Sequence, residues 1–306
     1  MQVFTATINQ MMLLFSLIAL GYVLRAGNFL PTNTAAVLSQ LETKVLIPCM
    51  VFNTFSRYFT VDNISQKLDC VVVGFAVTAA SALIGMLLAR WFAPKGYPRK
   101  IYTYAFAVAN FSFMGNALVL GLFGESVLFD YLIYTLPLSL FTYSYCGSAL
   151  NPNSTAGFSL KLLFNPIYVA MIVGAAVGLT GISLPGFLTS AASSAAACMS
   201  PLAMLLAGFV IGNYNLKKLA GFKKIYLVSL LRLIVIPLFF VAVLKLLGVR
   251  QEMMMLTLCA TAMPLGMNTV VYPAAYGEDT TTGASMVLIS QVMSVITIPV
   301  MFMLFL

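Results

Sequence analysis

Shifted by half its length, the sequence falls on itself at a set of positions inside apolar segments long enough to cross a membrane. Gly21 coincides with Gly174, Pro48 with Pro201, Met114 with Met267, and Gly124-Glu125 with Gly277-Glu278. One gapless offset serves every pair, which a duplicated unit explains better than chance does. The longest matching stretches, 107–125 and 260–278, each interrupt an apolar run with a polar cluster. The first cluster holds Asn110, Ser112, Gly115 and Asn116; the second holds Pro264, Gly266, Asn268 and Thr269. Paired interruptions at corresponding places of two halves are the sequence mark of a transporter's binding site.

Composition sets the class. The chain is 61% hydrophobic and 8% charged, with a mean hydropathy of +1.00, which excludes a soluble domain of this length. Apolar stretches of about 20 residues, the length that spans the hydrocarbon core as a helix, run over 3–24, 33–56, 68–92, 101–123 and 127–148, then 165–181, 186–212, 224–247, 253–276 and 281–306. The expected fold is an all-α integral membrane protein of ten transmembrane helices. No cleavable signal peptide is expected, because the first apolar stretch lacks a basic leader and runs on into further spans.

The net charge of +8 raises the question of nucleic acid, but the basic residues sit in short loops beside apolar spans. The positive-inside rule accounts for them. Arg25, Arg90, Lys95, Arg99, Lys100, Lys161, Lys217, Lys218, Lys223 and Lys224 fall on one side, against Arg57, Lys67, Lys245 and Arg250 on the other. Both termini are therefore expected outside a cell inner (plasma) membrane crossed many times. Five spans per half is an odd number, so the second half enters the membrane upside down. The expected units are a first five-helix repeat over 1–150 and an inverted second repeat over 151–306.

Several features read as packing. The five cysteines lie in or beside apolar spans without a CxxC pair, which suits small apolar fillers over a disulfide framework or zinc site. No metal or cofactor is expected. Pro48 and Pro201 are expected to kink spans 2 and 7, a packing feature or one that shapes a path. Small residues at 191–197 favour a tightly packed helix or a homodimer contact over chemistry. A polar linker is read at 151–157, with a brief surface helix at 158–164.

Lipid offers no hydrogen-bond partner, so an opened helix at membrane depth must be buried in protein or line a watery cavity. An inverted repeat brings the two interruptions together near the midplane. Each half-helix N-terminus carries unpaired N–H groups and about half a positive charge. Two of them, with Asn110, Ser112, Asn116, Asn268 and Thr269 as side-chain donors, favour a carboxylate without a buried cation. Charges inside spans are few, each costing about 2.5–3.5 kcal/mol at the helix centre. Arg232 reads equally as an anion attractor or as a side chain reaching an interface. Lys44 and Glu42, at i and i+2 in span 2, point to different faces, with Lys44 on the face of Pro48. Among Glu42, Asp69 and Asp130, Glu42 is the first candidate for proton coupling. The absence of histidine removes HExxH zinc chemistry, Ser–His catalysis and histidine relays.

The residues resemble the auxin efflux carrier family, of the bile acid/auxin carrier-type superfamily, whose members include plant PIN-FORMED carriers and bacterial permeases linked to malate or malonate. The likeness covers the whole chain. It is carried by Asn110 through Met114-Gly115, Leu118 and Phe123-Gly124-Glu125, by Leu46-Ile-Pro48, by Asn165-Pro166, by Met263-Pro264 through Asn268 to Tyr276-Gly277, and by Pro299. The resemblance implies crossed, broken helices 4 and 9, a scaffold of spans 1, 2, 6 and 7, and a moving unit of spans 3–5 and 8–10. By motif match, Asn110 and Pro264 sit at the crossing. Ala117 stands where the family often has proline, and the 5–6 linker lacks the long loop of the plant carriers, so auxin itself is not the expected substrate. The expected function is secondary transport, by efflux or exchange, of a small organic anion such as a carboxylate, by elevator-like alternating access. An anion channel or a non-transporting receptor is the alternative. An intramembrane enzyme is disfavoured by the missing catalytic groups.

Overall fold

The computed structural model describes residues 2–64, 67–146, 149–150, 152 and 164–305. The linker at 151–157, apart from Pro152, and the surface helix at 158–164, apart from Phe164, lie outside the described residues, as does Lys161. Backbone groups in an apolar medium must pair within their own segment, and the chain answers with helices almost throughout. These are α1 (Gln2–Ala26), α2 (Thr34–Tyr58), α3 (Leu68–Phe92), α4 (Tyr97–Ala107), α5 (Asn116–Phe141), α6 (Pro166–Thr180), α7 (Gly186–Ile211), α8 (Lys223–Leu246), α9 (Gln251–Thr261), α10 (Asn268–Ala275) and α11 (Thr281–Phe305). Among the described residues the sole β pairing is an isolated antiparallel bridge between Ala109 and Leu265.

Seven helical runs are long and apolar enough to cross a membrane, those through α1, α2, α3, α5, α7, α8 and α11. Large apolar side chains stand exposed along them, among them Leu13, Phe75, Leu83, Phe187, Phe239 and Ile296. Helices apolar on every face belong in lipid, and the chain is an all-α, multi-pass membrane protein. The run of α5 is not one straight helix. Gly124 adopts φ +81° inside it, and Gly277, half a chain length on, adopts φ +71° at the end of α10. A side chain at either place would be strained, which explains the glycines.

Proline explains two widened turns. α2 passes through a π turn at Glu42–Leu46 just before Pro48, and α8 through one at Leu231–Val235 just before Pro237. Proline frees a carbonyl one turn back and crowds it, and a wide turn relieves both. The extra residue also shifts the register, so Lys44 faces outward while Pro48 is buried, not on one face as regular helix spacing implies. Pro201 lies within a helix that stays continuous from Gly186 to Ile211.

Several helix pairs pack along their lengths, and α1 also packs on α11. α1 packs along α7, and α2 along α6 and α7; α3 packs on α4 and α5, and α8 on α9 and α11. Glycine permits the first contacts. A Cβ at Gly21 would stand 2.1 Å from the Leu205 carbonyl oxygen, and one at Gly174 would stand 2.9 Å from that of Phe52. Leu205 lies as far beyond Phe52 as Gly174 lies beyond Gly21, so the two close approaches exchange partners between the halves of the chain.

Candidate substrate-binding site

Two helices break beside each other. α4 ends at Ala107, and the chain runs extended through Val108 and Ala109 before a π turn at Phe111–Gly115 starts α5. α9 ends at Thr261, and residues 262–267 are non-helical before α10 begins at Asn268. The strands of the break touch: Asn110 N donates to Pro264 O at 2.8 Å, next to the Ala109–Leu265 bridge. Pro264 has no N–H to give, but its carbonyl joins the two breaks.

The freed backbone groups find partners from neighbouring helices. Tyr131 Oη donates to Phe111 O at 3.0 Å. A Cβ on Gly115 would stand 2.3 Å from that hydroxyl, so glycine there admits the tyrosine. Gly115 N donates to Asn110 O at 3.0 Å, closing the wide turn. Leu265 N donates to Ser290 Oγ at 2.9 Å, and Thr269 Oγ1 to Gly266 O at 2.8 Å. Burial without a partner would cost several kcal/mol per group in lipid.

At the crossing a small cavity is lined by Tyr104, Asn110, Ser112, Thr142, Tyr143 and Asn268, with Gly266 and Met267. It holds about 20 Å³, room for about one water, so a carboxylate needs it to widen. Asn268 Nδ2 donates to Tyr104 Oη at 2.9 Å, and Ser112 and Tyr143 line the same cavity. Asn110 is 3% exposed, and its Nδ2 has no partner; nor has Thr142 Oγ1. The N-terminal turns of the helices beginning at Phe111 and Asn268 lie at this cavity. At the second helix Thr269 N and Val270 N already donate to Gly266 O and Met267 O at 3.2 and 2.8 Å, so free N–H groups are left chiefly at the first, and the two helix dipoles give the cavity a positive potential.

The structure thus gathers Asn110, Ser112 and Asn268 around one space. Gly115, Pro264 and Thr269 shape the backbone beside it. Asn116 is buried with Oδ1 unpartnered but does not line the cavity. Tyr104, Thr142 and Tyr143 are the lining residues that the sequence reading did not single out. The polar run Thr142-Tyr143-Ser144-Tyr145 within an apolar span was the available signal.

The charged candidates lie elsewhere. Arg232 is 1% exposed, and its Nη1 donates to Thr261 O at 2.8 Å. It neither reaches an interface nor lines the crossing cavity. Lys44 Nζ donates to Gln40 Oε1 at 3.2 Å on the outer face of α2. Glu42 is fully buried, with neither oxygen partnered. Asp69 pairs with Arg250, and Asp130 with Lys67 at 2.7 Å; of the three acids, Glu42 alone is without a cation. No group of His, Cys, Asp and Glu among the described residues could hold a metal.

A larger cavity of about 460 Å³ opens between α2, α7 and α10, lined by Ser39, Gln40, Asn213, Tyr214, Val270 and Ala274 among others.

The profile of a family described as membrane transport protein matches residues 6–156 and 153–302. A protein of Methanothermobacter thermautotrophicus described as an uncharacterized transporter is 23% identical over 305 residues, covering 97% of this chain and 98% of its own length. With the profile spanning both breaks and nearly the whole sequence, the chain belongs to the membrane transport protein family, that of the auxin efflux carriers.

Proposed function

We propose that the chain is a secondary carrier of a small organic anion such as a carboxylate, which binds at the crossing. In this reading ten transmembrane helices form two inverted five-helix repeats, 1–150 and 151–306. α4 with the start of α5 is the fourth span, and α9 with α10 is the ninth. The reading is supported by the positive-φ glycines at 124 and 277, each ending a broken span, and by the exchanged contacts of Gly21 and Gly174.

One observation carries the substrate class: a buried amide donor, Asn110 Nδ2, stands unpartnered at a cavity where two helix N-termini meet. A buried polar group without a partner is costly, and a carboxylate supplies the acceptor it lacks. Ser112 holds the same anion from the cavity wall, and Asn268 does so as its present partner Tyr104 turns away. The small cavity and the larger space between α2, α7 and α10 suit alternating access: the group carrying the crossing slides past α1, α2, α6 and α7 and opens the site to one side at a time. Glu42 is the residue for proton coupling, should the cycle use a proton. For a cell interior at negative potential, anion export gains about 2.3 kcal/mol per charge per 100 mV.

The test is uptake in proteoliposomes with preloaded carboxylates. Saturable, counterflow-stimulated uptake is expected from the wild type. Asn110→Ala and Asn268→Ala each abolish it while the protein keeps its expression and melting behaviour. Currents beyond carrier turnover indicate a channel, ligand binding without counterflow indicates a receptor, and wild-type uptake by both variants removes the crossing from the account.

A further inference from the structure

Two half-helices stop with their carbonyl ends close together, α4 at Ala107 and α9 at Thr261. The last carbonyls of a helix have no intrahelical donor, and together they carry about half a negative charge. Arg232, from the π turn of α8, stands where they meet. Its Nη1 bonds Thr261 O at 2.8 Å, and its Nε has no partner. The side chain shares a small cavity with Ala107, Thr78, Ser81, Tyr134 and Thr261.

No carboxylate lines that cavity among the described residues. Glu42, the other fully buried charged residue, belongs to α2, whose π turn packs on α6 and α7. The guanidinium therefore answers no acid. It bonds one helix end, Thr261 O, and shares its cavity with the other, Ala107. In carriers built from broken helices, half-helix C-termini and unwound carbonyls are where a coupling cation is coordinated. An arginine is charged at every physiological pH and cannot leave.

We propose that Arg232 is a built-in counter-charge for the two half-helix ends, standing where a coupled carrier would bind a mobile cation, so that the crossing assembles without sodium or potassium. It is a positioning residue: it bonds the backbone that ends α9 and shares a cavity with Ala107, the end of α4, and in the carrier reading the substrate lies on the N-terminal side of the same breaks. The consequence for coupling rests on the carrier reading above. The charge placement does not.

Thermal unfolding of the purified full-length protein in detergent tests this without any substrate, so its failure and that of the carrier reading are distinguishable. Wild type should melt within about 1 °C of the same temperature in sodium, potassium or choline chloride. Arg232→Ala should melt about 5 °C lower or more in choline chloride. Guanidinium chloride at low millimolar concentration, far below denaturing levels, should restore at least half of that loss while choline restores none. A merely space-filling arginine predicts a loss that guanidinium leaves untouched, and that result overturns the proposal. A wild type that melts higher in sodium or potassium than in choline overturns it equally, and this arm holds even where the variant does not fold.

Discussion

Where α4 gives way to α5, the freed group that needs help is a carbonyl, Phe111 O, and a tyrosine hydroxyl reaches it across a glycine. Where α9 gives way to α10, the needs are Leu265 N–H and Thr261 O, met by Ser290 and Arg232. The position half a chain length before Arg232 is Ala79, which has no charge to offer. Two breaks that correspond in sequence are thus bonded by different groups, a hydroxyl alone at the first and a hydroxyl with a guanidinium at the second. What the halves share is the demand that lipid places on an open backbone. How each meets it is free to differ, and that freedom lets one crossing present unlike surfaces at its two ends.

The contrast can be broken one residue at a time, with thermal unfolding of the full-length protein as the measure. Gly115→Val should have the largest effect, about 3 kcal/mol, because a side chain there drives Tyr131 off Phe111. Tyr131→Phe keeps the ring and removes the bond, for a loss of about 1–2 kcal/mol with uptake impaired. Ser290→Ala should cost about 1 kcal/mol by orphaning Leu265 N–H; a loss equal to that of Gly115→Val would mean that the second break depends on its single hydroxyl. Gly266→Ala should be the mildest, within about 0.5 kcal/mol, since a Cβ there meets Tyr104 only at 3.5 Å. A Gly266 effect as large as that of Gly115 would show the two breaks equally crowded and erase the distinction.

Much of the fold was legible because lipid makes composition informative. A chain this apolar has helices as its only open choice, and Asn110, Gly124, Pro264 and Gly277 marked where those helices stop. The sites of the breaks followed from residue types that a regular span does not favour. What the sequence did not yield was their support. Tyr131 lies in an ordinary apolar stretch, and nothing local says that its hydroxyl reaches back to Phe111. Ser290 looks like any small residue of a last span. Arg232 stood out as a charge, yet its partner is a backbone carbonyl, which leaves no mark in sequence. The face of Lys44 was misjudged for a related reason: spacing rules assume a regular helix, and the π turn at Glu42–Leu46 shifts every residue after it.

Binding at the crossing is the claim on which the rest depends, and a thermal-shift titration of small carboxylates against wild type and the Asn110→Ala/Asn268→Ala double variant tests it most directly. A ligand that binds only the folded state raises its stability in proportion to the logarithm of concentration over Kd. At least one carboxylate should raise the wild-type midpoint saturably, by about 3 °C or more at a hundredfold excess over Kd, and leave the double variant unmoved. The same rise in both proteins would place the anion elsewhere and contradict the account.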